Sequence, residues 1–180
     1  MAWRGKNELM TLTDVEADIE AYELQDARLI AGFYVNELLL RLLHQHESHS
    51  ELFDLYGKAI FDLSELENVD TILRIFEKGL LQSLGYGLVL DHEIHDEQAI
   101  AANKNYYYLI DAGPVKEVPA TGDYVEISGN SLLALAKGIL ENRQELEETK
   151  RLMRFILQHH LGSKPLSSRV LYKAYVDNMG

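Results

Sequence analysis

The side chains of this chain that could do chemistry lie in three histidine-bearing stretches and one basic segment. HQHESH carries His44, His46 and His49, with His46 and His49 placed to share a helix face. HEIHDE sets His92 and His95 beside Asp91, Glu93, Asp96 and Glu97. His159 and His160 are adjacent and cannot both face one point on a helix. HEIH lacks the spacing by which HExxH aims two imidazoles at one zinc. The chain has no Cys, so thiolate ligands and disulfides are excluded. The histidines therefore read as solvated, and those near a helix C-terminus suit its dipole as imidazolium. No metal or cofactor is expected. Nucleophilic catalysis lacks its parts as well, with no Cys and no GxSxG elbow. Gly85-Tyr86-Gly87 is too short for a phosphate loop and lacks a following Lys-Ser/Thr. No pair of acids stands out among the many carboxylates, and an enzyme is not expected.

The basic side chains are more informative. Residues 141–180 carry 7 Lys+Arg against 5 Asp+Glu, whereas residues 1–140 carry 10 against 24. The whole chain is at −12, so the closing segment stands out as a local cationic feature, suited to an acidic polymer. Lys150 and Arg154 are one turn apart with Arg151 between them, and Glu147 can pair with Arg151. In LGSKPLSSRVLYKAY, Lys164, Arg169 and Lys173 have no acidic neighbour. Tyr172 and Tyr175 lie close by and could stack on a base. A chain this acidic should not coat nucleic acid over its whole surface, because phosphate affinity comes from local cations.

The rest of the sequence must position these groups. At 180 residues and 47% apolar, one domain with a proper core is expected. No apolar run is long enough to span a membrane, and the N-terminus does not read as a signal peptide. Trp3 to Thr13 reads as one strand with a turn at Gly5, and residues 14–25 as a short acidic helix. Ala27 to Leu43 is apolar on almost every side, the mark of a helix buried among others. Within it, Glu37 and Arg41 can pair; Asn36 and Glu37 read either as a ligand pair or as hydrogen bonds fixing neighbouring helix ends. Ser50 to Leu63 is a second helix with Leu52, Tyr56, Ala59 and Leu63 inward. Its second row, Phe53, Gly57 and Phe61, is expected against another helix. Asp70 to Leu84 is a third, with Leu73, Phe76, Leu80 and Leu84 inward and a mixed row of Arg74, Lys78 and Leu81. Strand-like runs follow at 106–110, 115–118 and 124–127, between Gly and Pro turns. Helices at about 128–140, 145–161 and from Ser167 or Ser168 to near Asp177 close the chain, with Gly162 and Pro165 shaping the last turn. The fold class is mainly α: a helical bundle with a small β insertion at about 88–127.

Four blocks, in order, carry a resemblance: WRGKNELMTLT, GFYVNELLLRLL followed by HSELFDLY, LRIFEKGLLQSLGYG, and LGSKPLSSRVLYKAY. Over essentially the whole chain the sequence resembles the RecO family of bacterial recombination mediators. The resemblance implies an N-terminal OB-fold, of which residues 1–13 would be the last strand, and a helical domain over 14–180. Its insertion would be zinc-ribbon-like, here without the four cysteines that some relatives carry, so it must hold together without metal. The resemblance further implies a cytoplasmic, nucleoid-associated protein that binds single- and double-stranded DNA and anneals strands. It would work with RecR, bind the acidic C-terminal tail of the single-stranded-DNA-binding protein SSB, and help load RecA. The alternative is an adaptor that keeps SSB or RecR contacts and holds DNA poorly. An SSB tail offers carboxylates and a terminal Phe, so its receptor needs an apolar pocket rimmed by cations. Leu52, Phe53 and Gly57 beside Arg74, Lys78 and Leu81 supply those parts. DNA contact is expected at Lys150, Arg151, Arg154, Lys164, Arg169 and Lys173.

Overall fold

The computed structural model describes residues 2–4, 11–14, 21–43, 50–110 and 112–179. Two short strands, β1 (Ala2–Arg4) and β2 (Thr11–Asp14), pair antiparallel. The segment expected as one strand is therefore a pair. Residues 21–25 are irregular rather than helical, and 15–20 lie outside the described residues. Three helices follow: α1 (Asp26–Leu42), α2 (Ser50–Glu65) and α3 (Val69–Ser83). Next come β3 (Asn105–Leu109), β4 (Gly113–Val115) and β5 (Tyr124–Ser128). The chain closes with α4 (Gly129–Lys137), α5 (Arg143–Leu161) and α6 (Ser167–Met179). No described helix is long and apolar enough to cross a membrane.

Periodicity explains the packing. Leu52, Ala59 and Leu63 of α2 meet Phe76 and Leu80 of α3 and Val35 and Leu38 of α1 in one core. Leu152, Met153, Ile156 and Leu157 bring the inner face of α5 into it. Each large aliphatic side chain so buried contributes about 1.5–3 kcal/mol. Side-chain caps mark several helix starts. Asn68 accepts from the Thr71 amide, Ser128 from Ser131, and Asn142 forms a reciprocal capping box with Glu145.

In the small sheet β3 lies between β4 and β5, antiparallel to both. Tyr106, Tyr108, Val125 and Ile127 alternate inward, as a half-buried sheet requires. The preceding loop is tied by Glu93 N to Gln98 O (2.8 Å) and Ile100 N to Asp91 O (2.9 Å). The buried Glu93 carboxylate accepts from the Asp96 amide at 2.9 Å. At Gly129 a Cβ would sit 2.0 Å from the Ala101 carbonyl oxygen, so only glycine lets α4 start this close to that loop.

Two expectations about faces fail. Helix α1 is not buried all round: Leu29, Phe33 and Leu40 face solvent, Leu40 at 84% exposure. Phe53, Gly57 and Phe61 of α2 also face solvent, with Tyr22 edge-on to Phe61. In both helices the buried stripe already satisfies the core, so the second apolar row is left outside.

Candidate functional site

Helices α1, α3, α5 and α6 enclose a groove of about 650 Å³. Its floor is apolar, from Ala27, Ile30 and Ala31 of α1 and Val69 and Leu73 of α3. Its rim is cationic. With the inner face of α5 committed to the core, Lys150, Arg151 and Arg154 are left along the groove. Helix α6 adds Arg169, Tyr172 and Lys173. The acids Asp70 and Glu147 also line it. Lys150 Nζ pairs with Asp70 at 2.9 Å, and Arg151 donates to the Glu126 carbonyl at 2.6 Å. Arg154, Arg169 and Lys173 make no ion pair with a described carboxylate, so their charge is available to a ligand.

One wall holds a buried polar triad. Arg74 Nε donates to Glu77 Oε2 at 2.6 Å, and its Nη2 donates to Oε1. The Tyr34 hydroxyl donates to the same Oε1 at 2.6 Å. Burial works against the Arg74 charge, but the charge and hydrogen bonds of Glu77 outweigh it and raise the pKa. Burial first, and the Glu77 carboxylate second, push the Tyr34 phenol far above its ordinary value. The pair is neutral as a unit. Arg74 Nη1 is nevertheless buried without a hydrogen-bond partner among the described residues. A buried donor left unmade costs about 1–3 kcal/mol.

Helix α6 is fastened from α1. Glu37 Oε1 accepts from Ser167 N at 2.8 Å, and Oε2 accepts from Ser168 N (2.8 Å) and Oγ (2.6 Å). Burial opposes the Glu37 charge, but the bonds from Ser168 and Ser167 outweigh it and hold the carboxyl below its ordinary value. One turn on, Arg41 donates to Leu161 O (2.9 Å) and Pro165 O (3.2 Å). Glu37 and Arg41, expected to bond each other, instead grip the turn between α5 and α6.

The structure gathers one expected set and scatters the other. Of the residues expected to touch DNA, Lys150, Arg151, Arg154, Arg169 and Lys173 line the groove; Lys164 sits exposed in the turn before α6, outside the lining. Of the residues expected to hold an acidic tail, Leu52 and Leu81 are in the core. Phe53 and Gly57 lie on the solvent side of α2. Lys78 donates to the carbonyls of Leu135 and Ala136, both at 2.8 Å, and burial lowers its pKa. Only Arg74 reaches the groove. Arg74 and Leu81, expected on a mixed basic–apolar row apart from the core face, are both buried, because α3 is covered on that side too. Sequence reasoning missed Tyr34 at the groove, Glu77 behind it and the hold of Arg41 on the turn before α6; for Glu37, the reading as hydrogen bonds that fix a neighbouring helix end is the one the structure shows.

The described histidines assemble no centre. His92 Nδ1 lies 2.7 Å from Asp91, whose carboxyl that bond lowers, and His95 lies 3.9 Å from Glu93. Tyr86 stacks on His160 at 4.2 Å. Among the described residues no group of three His, Cys, Asp or Glu could hold a metal ion. His44, His46 and His49 lie outside them.

Residues 26–169 match the family described as Recombination protein O C terminal. The DNA repair protein RecO of Nitrosospira multiformis is 40% identical over 176 residues, 97% of this chain and 73% of that protein. That of Nitrosococcus oceani is 40% identical over 171 residues, covering 95% and 70%. That of Methylococcus capsulatus is 41% identical over 174 residues, covering 97% and 71%.

Proposed function

The chain belongs to the RecO family, with a role in DNA repair and recombination, and from that premise we propose that its groove docks the acidic C-terminal tail of SSB. The observation that carries this reading is an apolar-floored groove whose rim carries Arg154, Arg169 and Lys173, with no ion pair to a described carboxylate. A tail that ends in an apolar side chain and a carboxylate can fill the floor while its carboxylates meet that rim. Arg154, Arg169 and Lys173, without an ion pair among the described residues, suit its acidic side chains and would speed encounter with it. The tail site thus moves from the face of α2 and α3 to the far side of α3.

The test is the affinity of a fluorescent SSB-tail peptide for Arg169→Glu and Lys173→Glu. Both side chains lie at the groove rim, so the fold tolerates the change. Each reversal is expected to weaken binding about tenfold or more, mainly through the on-rate at low salt. Unchanged affinity in both would move the tail elsewhere. Arg74→Glu is a poor test, because it buries a second carboxylate against Glu77.

A second reading has its own support. The groove holds five of the six cations expected to meet DNA, and Tyr172 beside them could stack on a base. On that reading the same groove contacts DNA phosphates, and an oligonucleotide competes with the tail peptide. Strand annealing, work with RecR and the loading of RecA are proposed from family membership alone.

A further inference from the structure

Resting on the reading that the groove takes an acidic tail, we propose that Glu37 is a positioning residue that holds α6, and with it Arg169, Tyr172 and Lys173, in the binding arrangement. Helix α6 packs against α1 but gives few side chains to the core. Ser168 is the one buried side chain among those described in the helix, and Leu166 just before it is the one apolar anchor. The helix contributes no core residue of its own beyond that point. Its first two amides, which no preceding carbonyl can serve, both bond Glu37. Arg41 fixes the turn on the other side through two carbonyls. Two of the five rim cations, Arg169 and Lys173, are therefore carried on a helix whose polar fastening sits at its N-terminal end. The ligand meets a finished groove only in the fraction of molecules with α6 seated, and its apparent affinity scales with that fraction.

Glu37 uses both oxygens as acceptors, so Glu37→Gln keeps the size and loses half the function. Hydrogen–deuterium exchange read by mass spectrometry over residues 169–178 is expected to run about fivefold faster in Glu37→Gln, the factor that a lost cap is worth. Exchange in α3 and α5 stays as in the parent chain. Affinity for the fluorescent tail peptide falls by less than about twofold, in the association rate with dissociation unchanged, because fewer molecules are competent. Ser168→Ala removes one of the three bonds and gives the same pattern at smaller size. Unaltered exchange over 169–178 in Glu37→Gln overturns the proposal, as does weaker binding carried by faster dissociation. Arg169→Glu separates this from the underlying reading. If it leaves peptide affinity unchanged, the tail reading fails, while the exchange data still decide whether Glu37 seats α6.

Discussion

Replacing Glu77 by Gln should cost more stability than any change at the groove rim. Glu77 is 1% exposed and Arg74 5%, so the pair is fully desolvated. Three hydrogen bonds converge on the Glu77 carboxylate, from Arg74 Nε, Arg74 Nη2 and the Tyr34 hydroxyl. The amide leaves a guanidinium charge buried without its counter-charge. Breaking such a pair costs about 3–5 kcal/mol. For a chain of this size that corresponds to a fall in Tm of roughly 6–20 °C. Thermal and urea melts followed by circular dichroism measure it. The combined change Tyr34→Phe, Arg74→Met and Glu77→Leu removes every partner at once. It should return to within about 1–2 kcal/mol of the parent, because an apolar replacement of a buried pair is often near neutral. The same triple variant should still bind the tail peptide, because Arg154, Arg169 and Lys173 remain at the rim. Stability and binding thus separate. A Glu77→Gln variant that loses under about 1 kcal/mol would mean that the pair is solvated.

Further outcomes are expected elsewhere. Gly129→Ala should cost about 1–3 kcal/mol, because the new methyl lands 2.0 Å from the Ala101 oxygen, whereas Gly57→Ala meets nothing within 4 Å. In α2 that second change should stabilise by about 0.5–1 kcal/mol in the same melts. The folded-state pKa of Glu37 is lowered, so its contribution is present above the ordinary carboxyl value and is lost as pH falls through the lowered one. Melts from neutral to acid should therefore show a steeper loss in the parent than in Glu37→Gln, and parallel curves would remove Glu37 from the linkage. For oligonucleotide binding, Lys150→Ala and Arg154→Ala should each reduce the salt slope by about 1. A slope that neither change alters would take phosphates out of the groove.

Much of the fold was readable because its elements follow local rules. The inward stripes of α2 and α3, the strand runs expected at 106–110 and 124–127, and the stops at Gly85 and Gly162 all rest on spacing and turn chemistry. The helix expected from 145 starts two residues earlier, where Asn142 caps it. What local pattern leaves open is direction. Arg74, Lys78 and Leu81 form a mixed row whose sequence does not say whether it meets solvent, and tertiary cover buries Arg74 and Leu81. Helix α1 is so uniformly apolar that its sequence does not say which side meets water, and Leu40 does. The groove depends on partners far apart in sequence: Tyr34 meets Glu77, and Glu37 meets Ser167 and Ser168. Basic residues on α5 and α6 were visible one by one; that they share a groove with Arg74 comes from helix packing alone.

The most direct measurement is to cross-link the ligand in place. An SSB-tail peptide carrying a photoreactive phenylalanine analogue at its last position, irradiated with the intact chain and mapped by mass spectrometry, reports where that side chain sits. Adducts on the groove floor and walls, at Ile30, Tyr34, Leu73 or Tyr172, are the expected result. Adducts on the outer face of α2 at Phe53 or Phe61, with none in the groove, would contradict it.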